Sequence, residues 1–275
     1  MSAVAAERDS AYGLRFSGLE DAGRLLQHGL DGWPLISVAC RRVESVPAAA
    51  PPDERGGVAW LGEGRRILTD RQDASATFLT TRPLGFDDMV HPGLGHVAVH
   101  FGRWLGREVL HAGAFVASGV AWAVGGDSQD GKSSLLAALA AAGHPVMSDD
   151  SLVVEQGYAY AGPRCIDLRF DARRPPLGSP LERSRAGSRQ RLVLSGVSTP
   201  VRLAGILHLG WGQELMVARL TPAERLRRLL PLRLPVSHPG TGALDLAALP
   251  AWAIERPRRW DALDATREQI EQLVS

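Results

Sequence analysis

The chain has 275 residues, 45% of them hydrophobic, and 31 Lys plus Arg stand against 30 Asp plus Glu for a net charge of +1. That much apolar material excludes intrinsic disorder and is ample for a core in one large or two small domains. Charges of both signs are interspersed, with no lysine-rich or aromatic-interleaved patch, so neither nucleic acid nor an anionic membrane surface is expected as a partner.

Cys40 and Cys165 lack C-x-x-C spacing. They predict no metal clip or disulfide framework, fit a reducing cytosol, and read as small buried residues. The first nine residues lack the basic and apolar regions of a signal peptide, so no secretion is expected. The most apolar window, 109–126, is broken by His111, Ser118 and several glycines and suits a hairpin better than a membrane helix. A soluble, cytoplasmic protein is expected, with room for a homo-oligomer.

In chain order, a loose tail precedes strands predicted over 12–16 and 35–43. A Pro- and Ala-rich surface loop at 47–52 and short strands over 58–61, 66–69 and 76–81 complete a strand-rich N-terminal portion, residues 1–90, without visible chemistry. Apolar spacing predicts a helix over 97–105. His96 and His100 lie four apart on it, a spacing zinc accepts, but no third ligand accompanies them and a half-exposed pair is expected.

Two apolar runs, 109–117 and 120–124, flank Ser118-Gly119, a two-residue turn that predicts an antiparallel hairpin. Its register pairs Val120 with Ala117, and its extension sets His111 opposite Gly126. The stretch Gly126-Asp127-Ser128-Gln129-Asp130-Gly131-Lys132-Ser133 satisfies G-x-x-x-x-G-K-S/T, the phosphate-cradling P-loop, and Ser134 opens strong helix-forming sequence through 142, closed by Gly143. In such a loop the backbone amides and the helix N-terminus point at phosphate oxygens, Lys132 sits on the outer phosphates and Ser133 on Mg2+. Lys132 is the only lysine in the chain, a compact charge kept where a planar guanidinium would not fit.

An extended segment at 145–148 delivers Asp149 and Asp150, and a right-handed crossover is expected to lay it in parallel beside the 120–124 strand. Paired carboxylates at a phosphate site can divide the labour, one holding Mg2+ and the other accepting a proton from an attacking hydroxyl. Asp167 and Arg169 share one face of a strand within 162–169, fit to serve phosphate, Mg2+ or substrate, or to form a surface ion pair. The Arg-, Ser-, Pro- and Gly-rich stretch 173–191 reads as a mobile loop, either a lid or peptide flap or a solvated linker. Strands follow over 201–209 and 214–220. Thr221-Pro222-Ala223-Glu224 is a capping box opening a helix through about 230, and a terminal helix is predicted over 265–274. No internal repeat or domain break is visible, so one α/β domain is expected.

The ordered set His111-Ala-Gly, hairpin, Gly-Asp-Ser-x-x-Gly-Lys-Ser, helix, Ser148-Asp149-Asp150 resembles the catalytic core of HPr kinases and their smaller relatives, most closely the kinases of lasso-peptide and other ribosomal-peptide pathways. The match spans about residues 91–170; Gln129 and Asp130 stand where the family usually carries glycine after the serine. The resemblance implies a P-loop mixed sheet of the HPr kinase/PEP carboxykinase kind with flanking helices. It implies ATP and Mg2+ as cofactors, nucleotide contacts from Gly126 through Ser134, Ser133 and Asp150 at the metal, Asp149 as general base with Lys132, Asp150 and His111 assisting, and Arg164, Asp167 and Arg169 as substrate or phosphate contacts. The implied activity is phosphorylation of a serine hydroxyl on a peptide or protein; a small-molecule kinase and a regulatory nucleotide-binding protein or ATPase stay open as alternatives.

Overall fold

The computed structural model describes residues 9–169, 183–186, 189–234 and 242–275. Short alternating runs build a first, seven-stranded sheet from β1 (Asp9–Ala11), β2 (Leu14–Ser17), β3 (Gln27–His28), β4 (Leu35–Arg42), β5 (Gly56–Gly62), β6 (Arg65–Asp70) and β7 (Ser75–Thr80), in the order β3-β1-β2-β4-β7-β6-β5. The single strand expected over 12–16 is a hairpin instead. Tyr12 and Gly13, at φ 61° and 71°, form its two-residue turn, and positive φ at both positions matches the twist of the flanking strands. Ile36 and Val38 on β4 are buried, but Cys40, next on that face, runs past its cover and is exposed, while Cys165 is buried as expected.

After a single turn of helix, α1 (Phe86–Asp88), comes α2 (Leu94–Leu105), which buries Leu94, Val97, Ala98 and Phe101 in the same core as Ile36, Ile67 and Phe78 of the first sheet. Of the pair on α2, His96 is half-buried, as expected, but His100 is buried, its Nδ1 2.7 Å from Thr69 Oγ1, and burial pushes its pKa down to about 4.

The second sheet has nine strands: β8 (Glu108–Leu110), β9 (Gly113–Ala117), β10 (Val120–Gly125), β11 (Val146–Ser148), β12 (Leu152–Glu155), β13 (Tyr158–Tyr160), β17 (Val201–Trp211), β18 (Met216–Arg219) and β19 (Ala251–Arg256). The β9–β10 hairpin has the predicted register, Val120 with Ala117 and Val124 with Gly113. The 109–117 run, however, breaks at His111-Ala112, and β8 leaves to pair with β12. The 145–148 segment does not lie beside β10. Its strand β11 pairs antiparallel with β9, because β9 already fills that edge of β10, and β10's parallel neighbour is β17.

Helix α3 (Lys132–Ala141) follows β10, α4 (Pro222–Leu229) and α5 (Gly242–Ala248) precede β19, and α6 (Ala262–Val274) ends the chain. Residues of β10 alternate between the sheet's faces. Trp122 and Val124 meet Leu135, Leu136 and Leu139 of α3 and Leu263 and Ile270 of α6; Ala121 and Ala123 meet Leu229 of α4 and Leu246 of α5. The capping box of α4 forms as predicted, with Thr221 and Glu224 each bonding the other's backbone amide. Among the described residues no helix is long and apolar enough to cross a membrane.

Part of the stretch read as a loop is regular. β14 (Cys165–Arg169), β15 (Arg183–Ala186) and β16 (Arg189–Val193) form a three-stranded antiparallel sheet in the order β14-β16-β15, with β14 packed against α3. The remainder of that stretch, 173–182 and 187–188, lies outside the described residues.

Candidate active site

Four strand ends meet at one edge of the second sheet. β10 is parallel to β17 and β17 to β19, and β11, antiparallel to β9, runs the same way as β10. Their C-terminal ends deliver the 126–131 loop, Asp149 and Asp150, Trp211 and Arg256 to a common cleft of about 440 Å3. Clefts outside the carboxyl ends of parallel strands are where open α/β sheets bind ligands.

The loop turns into α3 at Gly131, whose φ of 80° is left-handed and whose missing Cβ leaves room for the Arg256 guanidinium. Gln129 also adopts a positive φ, 75°, so the loop keeps a glycine-like backbone where glycine is absent. Lys132 is buried, and its Nζ donates to the carbonyls of Gly126 at 2.8 Å and Asp127 at 3.0 Å. Burial pushes its pKa down, opposed by the charges of Asp150 and Asp130. Asp130 Oδ2 accepts the Asp127 amide at 2.6 Å, taking the place an anion would otherwise hold on that N–H. Arg256 donates from Nη2 to Asp130 O at 3.3 Å and Gly131 O at 3.4 Å, and its guanidinium lies 4.6 Å from the centre of the Trp211 ring.

The two aspartates after β11 have different surroundings. A Cβ on Gly113 would lie 2.8 Å from Asp149 O and 2.9 Å from Ser148 O, so only glycine there lets this corner close on β9. Asp149 is buried, and its Oδ2 accepts the Asp167 amide at 3.1 Å. Its Oδ1 is buried with no hydrogen-bond partner among the described residues. Burial pushes its carboxyl up to about 7. The Ser133 hydroxyl, near enough to favour the charged form but short of a well-formed hydrogen bond, opposes that rise. Asp150 is exposed to the cleft, with Oδ1 3.4 Å from His111 Nδ1.

On β14, beside Asp149, Asp167 is buried and held bidentate by Arg191, Nε to Oδ1 and Nη2 to Oδ2, both at 2.8 Å. Arg191 also donates to the carbonyls of Asp87 and His91, tying the third sheet to the turn before α2. The donor atoms of His91, Cys165 and Asp167 come within 4.8 Å of one another, but the Asp167 oxygens are already engaged by Arg191.

Of the residues singled out in the sequence, His111, Ser128, Gln129, Gly131, Lys132, Ser133, Ser134, Asp150, Asp167 and Arg169 line the cleft. Gly126, Asp127 and Asp130 complete the loop, and Asp149 lies behind the lining, between Ser133 and the Asp167 amide. Arg164 is not brought there: its Nε bonds Leu194 O at 3.2 Å, beside Gly196. Arg189, Arg191, Trp211 and Arg256 were missed. The alternation Arg189-Gln190-Arg191 carries a period-two signal for the first two, while nothing local in the sequence points to Trp211 or Arg256.

No protein-family model matches the chain, and no curated protein matches it. Among solved structures it is similar to the Hpr(Ser) kinase/phosphatase from Coxiella burnetii, at 13% identity and a TM-score of 0.30, over 60% of this chain and 93% of that one. A likeness of that degree decides neither fold family nor activity.

Proposed function

We propose that the chain is an ATP-dependent phosphotransferase acting on a hydroxyl group, with a serine of a ribosomally made, lasso-type precursor peptide as the acceptor. One observation carries the reading. The helix N-terminus bearing Lys132 and Ser133 borders the cleft with an open carboxylate, Asp150, beside His111, and just behind it lies a buried one, Asp149, with an oxygen that has no partner among the described residues. The peptide acceptor rests on the resemblance of residues 91–170 set out above.

The residues fit the groups this chemistry needs. The orphaned Asp149 oxygen and the nearby Ser133 hydroxyl are hard donors suited to Mg2+. The amides of the 126–133 stretch and the N-terminus of α3 suit a polyphosphate. When bound, Mg2+ neutralises charge on the transferring phosphoryl group. To bind that anion, Lys132 turns from the Gly126 and Asp127 carbonyls and Asp130 releases the Asp127 amide. Asp150 takes the proton of the attacking hydroxyl, with His111 orienting its carboxylate. This exchanges the roles that the resemblance implies for Asp149 and Asp150. The reason is burial, since a base serving a peptide hydroxyl must be reachable and Asp149 is 5% exposed.

The test follows labelled phosphate from Mg-ATP into serine-containing peptides and into free phosphate. Wild type is expected to label peptide, and Asp150→Asn to lose about a hundredfold or more of that rate while keeping nucleotide affinity. Lys132→Ala is expected to lose the nucleotide-induced rise in Tm. Undiminished peptide labelling in Asp150→Asn removes that residue from the role, and label in free phosphate alone turns the reading to nucleotide hydrolysis.

A further inference from the structure

The three-stranded sheet carries two consecutive cross-strand pairs bordering the cleft. In the β14–β16 register Asp167 faces Arg191 and Arg169 faces Arg189. Residues two apart on a strand share a face, so both pairs stand on the same side. The inner pair is buried and neutral. The outer pair sets two arginines directly opposite each other in register; both are exposed and both line the cleft. Among the described residues neither has an acidic partner. Like charges directly opposite destabilise a sheet. One pair inward the same two strands meet that problem with an aspartate; here no acid among the described residues does, which is the arrangement of a site open to an anion.

We infer that the Arg169–Arg189 pair binds a carboxylate of the acceptor, so that the acceptor is acidic close to the hydroxyl it offers. The inference rests on the phosphotransfer reading for the word acceptor, and on the sheet register alone for the anion site. A nucleotide phosphate presents similar chemistry. It has donors of its own, however, in the loop amides and Lys132 of the β10–α3 turn, whereas Arg169 and Arg189 stand on the three-stranded sheet. A guanidinium group matches the bidentate geometry of a carboxylate, and two arginines lie opposite each other here.

The test uses the full chain and two serine peptides identical except that Asp and Glu flanking the serine in one are Asn and Gln in the other. Affinity is read by fluorescence anisotropy at fixed salt, with Mg-ATP affinity measured in parallel. The double variant Arg169→Gln/Arg189→Gln is expected to fold at least as stably as wild type, because it removes a like-charge opposition. Wild type should bind the acidic peptide about tenfold more tightly than its amide counterpart, and the double variant should bring that ratio to about one without weakening Mg-ATP. Equal affinities in wild type, or a preference that survives in the double variant, overturn the inference. So does loss of Mg-ATP affinity with the peptide ratio intact, which would make the pair a nucleotide-phosphate site. Preferred binding of the acidic peptide without transfer of label keeps the carboxylate site and overturns the phosphotransfer reading. Label transferred to both peptides alike, with no difference in affinity, does the reverse.

Discussion

Asp149 and Asp167 are two buried carboxylates, joined by the hydrogen bond from the Asp167 amide to Asp149 Oδ2, yet they are treated in opposite ways. Asp167 has both oxygens on the Arg191 guanidinium. Asp149 has one oxygen on an amide and the other without a partner among the described residues, and its carboxyl is pushed up to about 7 by burial. The fold can neutralise a buried acid on this wall, and does so for Asp167. Beside the glycine loop it leaves the other with no partner for its second oxygen among the described residues.

That contrast can be broken most forcefully at Arg191. Arg191→Met should cost about 3–5 kcal/mol of stability in urea unfolding, because it strands the Asp167 charge in a buried site and frees two carbonyls. A loss below about 1 kcal/mol would show that Asp167 does not depend on its partner.

Asp149→Asn should act in the other direction. The folded-state pKa of about 7 lies above the ordinary 3.8, so the folded chain binds a proton that the unfolded chain releases. Stability is therefore unimpaired below the unfolded value and is lost as pH rises through 7. The metal-free variant should match wild type near about pH 4 and exceed it by on the order of 2 kcal/mol near about pH 8. Parallel Tm curves for the two proteins across that window would refute the raised pKa.

Ser133→Ala sharpens the same point at a smaller scale. Its hydroxyl favours the charged form of Asp149, so its removal should move the midpoint of that pH-dependent loss upward, with less than about 1 kcal/mol change in stability near about pH 4. A downward midpoint would show that the hydroxyl opposes the charge.

Much of the cleft was legible one residue at a time. Local chemistry identified the glycine loop, the β9–β10 register, the α4 capping box and the Asp149-Asp150 pair, because turns, caps and periodicity act over a few neighbouring residues. The same local reading missed that Asp149 is buried and Asp150 open, since exposure depends on Gly113 letting the corner close and on β14 covering one of the two. It also placed β11 beside β10, where the hairpin strand β9 already lay. It read Arg189 and Arg191 as loop, although pairing with β14 makes them a strand.

The sequence by itself determined where the glycine loop, Lys132 and the paired aspartates are concentrated, for that follows from residue types at fixed short spacing. Only the tertiary structure decided which carboxylate is sealed and which is open, which arginine is consumed by Asp167, and which pair of arginines lines the cleft. Those are matters of burial and cross-strand opposition between segments dozens of residues apart, and short-range pattern does not encode them.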